Sequence, residues 1–508
     1  MKIACFLPRF LSKGDRFAFI ALCVVSTVFL LHRCLFMTAY NPPNYDEAFY
    51  ASPALSWYRN GTLAIPFDFP RSPDGTIIWH TAGYSLFQGA IFAVFGPSHL
   101  ALRIPALVYG MSVFAVFLIA VRKRTHAWIA PLAFALFFVT DKTIVPALFN
   151  GRPDPCSFFF LMLSLLLFST TQKMTQPFRA FVVAAVAGII LGFSCAVALR
   201  TAIACTPFIL LPFLYRPRPS RPDVLKEETH RTVLLVVIFG LFAALSLLAT
   251  ICLAMHGFHS LLLSGQDMAG SSSFSHHFGF SFFKNVFRYT PNIPKALLFY
   301  GIVFFGLRRN WPEVRSDFFL LANCLVFLGF FLFIKGWGPS APYSMLFLPT
   351  VYLVFSIALD RALQMKKRAI PAFLLLVFLI NVVTILPKNV YIILNPDVQR
   401  EQEIAKRIHS IVPSGAMVVA DPDFFFALES NGNPVICVPR TESVRARDMK
   451  TILAKRSPTF LICTRNELPT LENLATFFPY LKTKPPLVAG ARGFVGNMVV
   501  PHGAFIEL

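Results

Sequence analysis

The chain has 508 residues, of which 56% are hydrophobic and only 14% are charged, and it contains 57 Phe. A soluble protein of this length needs far more polar surface, so the composition excludes that class and indicates a polytopic membrane protein. The net charge of +21 does not indicate nucleic-acid binding, because Lys and Arg cluster in short segments between apolar runs, as in VRKRTH at 121–126.

The first predicted element is an apolar run at 17–37, which follows a basic N-terminal segment and has no small-residue cleavage site. This pattern predicts an uncleaved signal anchor. A helical span needs about 20 mostly apolar residues, and about eleven runs qualify when shorter ones are sheltered by neighbours. The predicted spans are 17–37, 100–121, 127–140, 155–170, 179–199, 201–215, 232–255, 296–307, 318–334, 343–359 and 370–386.

The apolar run 82–95 is excluded from the spans by the distribution of charge. A basic N-terminus on the inner side places the loop after 17–37 outside, and the RKR at 122–124 returns the chain to the inside. An odd number of crossings must lie between them, and 100–121 already supplies one. We therefore predict that 82–95 is an interfacial or re-entrant helix on the outer side.

The adjacent carboxylates Asp46 and Glu47 open this first outer loop. They follow NPPNY, and the apolar and aromatic residues from 49 to 58 have the spacing of an amphipathic helix lying along the membrane. Two interpretations stay open. Acids at a helix start favour the helix dipole, and an acid at the edge of an apolar cavity can deprotonate a hydroxyl acceptor.

Further ionisable residues collect near the outer ends of the predicted spans. Arg152 and Asp154 lie in GRPDP, Arg200 interrupts CAVALRTAIAC, and Lys335 lies in FIKGWGP. Charges at membrane depth are costly and usually face a cavity or a partner, although span-end cations also extend to lipid head groups. Arg200 and Lys335 are predicted to bind a phosphate leaving group. Together with the acids, they indicate group transfer from a lipid phosphate.

The segment 388–508 has a different pattern from the rest of the chain. Short apolar strands at 416–420, 434–438 and 459–464 alternate with helical segments at 401–412 and 443–456, which predicts a small α/β domain. The domain contains Cys437 and Cys463, for which a disulfide and two inert thiols are both open. Domains are therefore predicted at 1–387, in the membrane, and 388–508, outside the cytoplasm.

Adjacent His276 and His277 lie in an outer loop, SSSFSHHFGF, where vicinal histidines can bind zinc with further ligands. Two adjacent side chains do not share one helical face, and no matching ligand pair is evident in the sequence. We therefore predict no metal and no other cofactor.

Three motifs taken together resemble the GT-C glycosyltransferases of the protein O-mannosyltransferase type and the bacterial transferases that add aminoarabinose to lipid A. They are YDEAFYASPALSWYRNGTLA, HTAGYSLFQGAIFAVFGPSHLALRIPALVYG and GRPDP, and the likeness covers roughly residues 15–215. The resemblance implies a multi-span GT-C fold of about eleven transmembrane helices with juxtamembrane helices on the outer face. It also implies an inverting transfer from a polyprenyl-phosphate-linked sugar.

The resemblance assigns roles to individual residues. Asp46 becomes the base for the acceptor, with Glu47 beside it, and Asp154 becomes the second outer-loop acid. Arg200, and Arg152 close to Asp154, become contacts to the donor phosphate. Where relatives carry an Arg before a late span, this chain reads PYSMLFLP, with Lys335 as the substitute cation. The resemblance also makes His80 and Tyr343 candidate substrate contacts.

The sequence thus predicts a transferase in a bacterial cytoplasmic membrane that uses a lipid-linked donor and an envelope acceptor, either glycolipid, polysaccharide or protein. The alternative is a transporter or lipid flippase. Transporters place buried charges near the bilayer midplane and often have two similar halves, whereas these charges lie near the outer surface and the halves do not repeat. A scaffold whose C-terminal domain binds envelope partners is a third reading.

Overall fold

The computed structural model describes residues 13–35, 45–65, 76–77, 82–141, 144, 151–172, 174–215, 222–254, 311–333, 348–364, 390, 394, 406, 408–420, 424–437, 460–463, 491–495, 498–502 and 504–507. The chain forms two compact units. The first unit comprises Met1–Cys34, Leu107–Leu148 and Pro153–Leu386, and the second comprises Leu35–Ala106, Phe149–Arg152 and Pro387–Leu508. The predicted domain boundary at 387 stays a prediction.

The first unit is helical throughout its described part. Its helices include α1 (Lys13–Leu35), α4 (His99–Arg124, whose first turns belong to the second unit), α5 (Ile129–Thr140), α6 (Pro153–Thr171), α7 (Pro177–Val197), α8 (Leu199–Ala204), α9 (Leu211–Leu214), α10 (Pro222–Ala254), α11 (Phe318–Phe333) and α12 (Leu348–Gln364).

Five helices in the described part of the chain are long and apolar enough to cross a membrane. They are Gly14–Leu35, His99–Arg124, Pro153–Thr171, Pro177–Val197 and His230–Leu253. Each coincides with a predicted span, and the chain is a multi-pass membrane protein. The predicted spans 296–307 and 370–386 lie outside the described residues, as does the beginning of 343–359.

The predicted span 201–215 is not one continuous helix. It is divided into α8, a 3-10 helix at Thr206–Leu210, and α9. Pro207 and Pro212 each stand in the first turn of a new helical segment, where the missing proline N–H removes no hydrogen bond. A further break separates α7 from α8 at Ala198, whose backbone is extended (φ −149°, ψ 107°).

The second unit combines helices with small sheets. Its helices are α2 (Tyr45–Asn60), α3 (Ala82–Phe95) and α13 (Phe425–Ser430), and its strands are β1 (Ala64–Ile65), β2 (Thr76–Ile77), β3 (Val418–Ala420), β4 (Val435–Cys437), β5 (Phe460–Cys463), β6 (Ala491–Val495), β7 (Met498–His502) and β8 (Ala504–Glu507).

The four-stranded sheet has the order β4-β3-β5-β8, with β4, β3 and β5 parallel and β8 antiparallel to β5. The three parallel strands confirm the predicted strands and the α/β class of this segment. The sequence analysis missed β8 and the β6–β7 hairpin. The predicted helix at 443–456 lies outside the described residues.

Strand β3 lies between the strands that carry Cys437 and Cys463. Cys437 is paired with Ala420 of β3, and Ala420 is paired in turn with Ile462 of β5. Neighbouring strands are about 4.8 Å apart, so the two cysteine Cα atoms are separated by about 9.5 Å or more. A disulfide requires less than about 7 Å. The backbone therefore keeps these cysteines apart, which excludes the disulfide alternative.

Helix α2 is confirmed at Tyr45–Asn60, but its predicted amphipathic character is wrong. Every residue from 50 to 56 is buried, so burial surrounds the middle of the helix and is not confined to one face. Small residues allow this close packing, and Gly89 of α3 lies against Trp57, where a Cβ atom would overlap the indole ring. Helix α3 has 14 residues, about 21 Å, which is short for a span, as predicted.

Helices α7 and α10 are in direct contact through two glycines one turn apart. A Cβ atom on Gly188 would overlap the carbonyl oxygen of Phe239, and one on Gly192 would overlap that of Ala243. Small residues four apart let two membrane helices approach at backbone distance, where van der Waals packing replaces the hydrophobic driving force that lipid does not supply. This contact fixes the position of α7, and α7 leads into α8.

We expect Gly192→Val to destabilise the protein by about 1–3 kcal/mol, because the added side chain must push α10 away. The matched control is Gly240→Val on α10, since a Cβ atom at Gly240 meets nothing within 4 Å. Thermal unfolding in detergent measures both variants. Equal melting temperatures for the two variants would contradict this packing.

Candidate functional site

The carboxylate of Glu47 is completely buried in the second unit and is bound by three groups. Arg103 binds it with two parallel hydrogen bonds, Nε to Oε1 at 2.7 Å and Nη2 to Oε2 at 2.8 Å. His99 Nε2 lies 3.2 Å from Oε2, and the backbone N–H of Gly151 donates to Oε1 at 2.9 Å. We call Glu47, His99, Arg103 and Gly151 the Glu47 cluster.

The Glu47 cluster keeps its acid ionised. Burial alone would raise the pKa of Glu47, but the charges and hydrogen bonds of Arg103 and His99 outweigh burial and hold the pKa well below its usual range. At neutral pH the carboxylate is therefore an acceptor of hydrogen bonds and has no capacity to take up a proton. Its contacts are those of a residue that holds other residues in place.

Helix α4 presents both basic partners from one face, because His99 and Arg103 are four residues apart. The position of α4 against α3 depends on Pro105. This proline has no N–H, so the carbonyl of Ala101, four residues earlier, loses its helical donor. The buried Gln88 side chain of α3 supplies the replacement, donating from Nε2 to Ala101 O at 3.0 Å.

Gly151 is fixed from three sides. Its N–H donates to Glu47, its carbonyl accepts a hydrogen bond of 2.8 Å from the Tyr84 hydroxyl, and a Cβ atom would overlap the Leu102 side chain. Only glycine fits this approach. Arg152 follows directly, is buried, and lies with its guanidinium 5.4 Å from the centre of the Tyr50 ring. The beginning of GRPDP is therefore held by Glu47 and by two aromatic residues.

In the first unit, Asp154 is buried near the start of α6 and lies 3.8 Å from the guanidinium of Arg200. Arg200 occupies the second position of α8, and its side chain is 18% exposed. The neighbouring Thr201 is fixed by Ser157 of α6, with 2.6 Å between the two hydroxyl oxygens. The break at Ala198 and this hydroxyl contact together direct Arg200 towards Asp154.

The structure thus brings Asp154 together with Arg200, and Glu47 with partners that were not predicted. Asp46 is the second residue of α2, directly before Glu47, and its side chain lies outside the described atoms. His80, Lys335 and Tyr343 lie outside the described residues. The predicted roles of all these residues stay predictions.

Sequence reasoning missed His99 and Arg103, although both lie inside a motif that carries the resemblance. The available signal was their spacing. Two basic residues four apart in the apolar run HLALRIPALV share one helix face, and a buried Arg requires an acidic partner. Glu47 is one of the acids in the predicted outer loop that precedes this helix.

Among the described residues, no group of three or more His, Cys, Asp or Glu side chains converges in a way that could hold a metal ion. His276 and His277 lie outside this part of the chain.

The fold has relatives among solved structures. The chain is similar to ArnT from Cupriavidus metallidurans bound to undecaprenyl phosphate, with a TM-score of 0.52, 12% identity, and coverage of 97% of this chain and 98% of that one. The apo state of the same ArnT gives 0.53 at 13% identity with the same coverage. The fold is the GT-C membrane fold.

A second similar structure comes from an archaeon. The oligosaccharyltransferase AglB from Archaeoglobus fulgidus, in complex with an inhibitory peptide and a dolichol-phosphate, has a TM-score of 0.50 at 13% identity. The match covers 92% of this chain and 72% of AglB. No family model and no curated protein matches the sequence. The likeness at these identities establishes the GT-C fold, which confirms the predicted fold class.

We expect Glu47→Gln to lower the free energy of unfolding by about 3 kcal/mol at pH 7, because it leaves the Arg103 charge buried without a counter-ion. Glu429→Gln is the matched control. Glu429 pairs at 2.9 Å with the half-exposed Arg59, and such a rim pair contributes about 1 kcal/mol or less. Thermal unfolding of the wild type and of both variants in detergent measures the difference.

The contribution of Glu47 to the free energy of unfolding also depends on pH in a defined way. A folded-state pKa far below the ordinary value of 4.5 gives stability that is fully present above 4.5 and is lost as the pH falls below it. The difference in free energy of unfolding between wild type and Glu47→Gln should stay constant from pH 7 to about 5 and decrease at more acidic pH. A gap that widens on acidification would rule out the ionised state of Glu47.

Proposed function

We propose that this protein is an integral-membrane glycosyltransferase that moves a sugar from a polyprenyl-phosphate-linked donor to an envelope acceptor on the outer side of the bacterial cytoplasmic membrane. The observation that carries the proposal is the GT-C fold, shared over nearly the full length of both chains with a protein solved with undecaprenyl phosphate bound. The buried charges of the two units support it, because each motif that carries the resemblance contributes at least one of them.

The proposal assigns the base role to Asp46 and a positioning role to Glu47. Two neighbouring carboxylates have different tasks here, since Arg103 and His99 already neutralise Glu47. Glu47 holds the first turn of α2, and Asp46 belongs to that turn. In the reaction, Asp46 accepts the proton of an acceptor hydroxyl while the hydroxyl oxygen attacks the anomeric carbon of the donor sugar.

The bond that breaks joins the anomeric carbon to the phosphate oxygen, and its electron pair leaves with the polyprenyl phosphate. Arg200 is assigned to this phosphate, because a guanidinium matches phosphate oxygens with two parallel hydrogen bonds and stabilises the charge that develops. Asp154, beside Arg200, acts by orienting it. Arg152 and Lys335 are proposed as further phosphate contacts, and His80 and Tyr343 as substrate contacts. Attack opposite the leaving group inverts the anomeric centre.

Asp46→Asn should abolish transfer while the protein still folds and inserts, because the amide does not accept the proton. The control is Asp74→Asn, which makes the same substitution in the same predicted outer loop. Mass spectrometry of envelope glycolipids and glycoproteins, in deletion cells that carry each form, detects the product.

A product that appears with wild type and Asp74→Asn but not with Asp46→Asn supports the proposal. Its mass increment identifies the sugar class. Near-normal product from Asp46→Asn would remove Asp46 from the base role. Absence of product from every form, with all proteins inserted, would favour the transporter or scaffold alternatives.

Arg200→Ala should lower kcat/KM for the lipid-linked donor by about 10- to 100-fold, since a charge-assisted hydrogen bond contributes about 1.5–3 kcal/mol. Arg200→Lys keeps the charge but loses the planar pair of donors, so we expect an intermediate rate. Initial rates in membranes supplied with increasing lipid extract measure both variants. Full activity in Arg200→Ala would assign the phosphate to other cations.

A further inference from the structure

The first unit contains a cavity of about 1070 Å³ at the end of the helices where α4 terminates. This volume is at the upper limit of the roughly 300–1,000 Å³ that is usual for ligand sites. We call it the RKR-end cavity, because α4 ends there with Arg122, Lys123 and Arg124.

The walls of the RKR-end cavity are of two kinds. Val116 and Ile119 of α4, Leu166 of α6, Phe319 of α11 and Ile357 of α12 form an apolar part. Polar side chains form the other part, and they are the charged Lys123, Arg124, Glu313, Asp317 and Arg361 and the imidazole of His126. A cavity that is apolar on one side and charged on the other fits an amphiphile, with its head group among the charges and its chains along the apolar residues.

The cavity lies where a membrane lipid has access. Helices α4 and α6 are long enough to cross the membrane, and both contribute their C-terminal turns to the lining. The ends of spanning helices lie at the level of the lipid head groups. Ile119 is 56% exposed on α4, so this part of the lining faces acyl chains and opens the cavity towards the bilayer.

The charged side chains of the lining have a net positive charge, and that charge lies on one lysine. Arg124 is bound by Asp317, with Nη2 to Oδ1 at 2.8 Å, and its Nη1 donates to the carbonyl of Ala120. Arg361 is paired with Glu313. Lys123 is exposed and makes no ion pair with any residue that the structure describes. The two pairs cancel, and Lys123 makes the polar part of the cavity attractive to an anion.

We propose that the RKR-end cavity binds one anionic phospholipid, with its phosphate at Lys123 and its acyl chains along Val116 and Ile119. The predicted topology assigns this end of α4 to the cytoplasmic side, so the lipid comes from the cytoplasmic leaflet. The proposal does not depend on glycosyl transfer, because the lining contains none of the residues assigned to that reaction.

The test is native mass spectrometry of the full-length protein, purified in detergent and titrated with phosphatidylglycerol, phosphatidylcholine or sodium phosphate. Wild type should retain one phosphatidylglycerol in preference to phosphatidylcholine. Lys123→Glu should weaken that retention by about tenfold or more, because a basic residue at a lipid surface contributes about 1 kcal/mol and the substitution reverses its charge.

Arg179→Glu is the matched control, since Arg179 is exposed in the first turn of α7 and is absent from the lining. Arg179→Glu makes the same charge reversal as Lys123→Glu. Retention of phosphatidylglycerol should stay within about twofold of wild type, which is small beside the effect of one basic residue at a lipid surface. Ser169→Trp fills the cavity without changing charge and should also prevent retention; Lys123→Glu decides the question if the Trp variant does not fold.

Three results would overturn the proposal. Equal loss in Lys123→Glu and Arg179→Glu would assign the lipid to the general charge of the protein surface. Equal retention of phosphatidylcholine would exclude recognition of an anionic head group. Displacement of phosphatidylglycerol by sodium phosphate at equal concentration would identify a site for free phosphate, not one for lipid.

Discussion

The buried ion pair between Glu47 and Arg103 is the interaction on which the second unit depends. Neither side chain tolerates a fully buried position alone, because removing a charge from water costs several kcal/mol per ion. Two parallel hydrogen bonds, an imidazole and a backbone N–H offset that cost together. The pair requires α2, α4 and residue 151 to meet at one point, so it specifies the arrangement of three segments that are distant in sequence.

The same interaction explains why different roles are proposed for the two adjacent acids. A carboxylate held by an arginine and a histidine has a fixed direction and a fixed charge, which makes it a good anchor and a poor base. Its neighbour Asp46 lies in the same first turn of α2, and the proposal assigns to Asp46 the base role that a neutralised Glu47 does not fill. The proposed chemistry uses this difference, because the position of a catalytic base must be defined to within a fraction of an ångström while its proton affinity stays accessible.

The elements that depend only on local composition and periodicity were predicted from the sequence. The lengths of α2 and α3, the five long apolar helices and the strands β3, β4 and β5 follow from composition and periodicity. The partners of Glu47 were not predicted, because His99 and Arg103 are more than fifty residues away and no periodicity connects them. Strand β8 was missed for a similar reason, since its identity as a strand depends on pairing with β5.

The amphipathic character predicted for α2 was wrong, and the apolar run 201–215 is divided into shorter helical segments, for different physical reasons. Apolar residues at helical spacing predict a helix with one solvent-exposed face, but α2 has small side chains at Ala51, Ser52 and Ala54 that allow neighbours to enclose it. Hydropathy predicts one apolar run over 201–215 because proline is not strongly polar. Backbone hydrogen bonding divides this run at Pro207 and Pro212, because proline has no N–H to donate. The burial of α2 and the missing N–H groups of the two prolines are therefore features that hydropathy alone does not show.

The contacts of α13 have a consequence for the order in which the protein is made. The Glu47 cluster is complete once residue 151 has left the ribosome, whereas Phe426, whose ring stacks on His99, and Glu429, the partner of Arg59, are among the last parts translated. The first loop must therefore hold its shape through the synthesis of more than half the chain. Until residue 426 is synthesised, the imidazole of His99 lacks the phenyl ring that stacks on it in the complete protein.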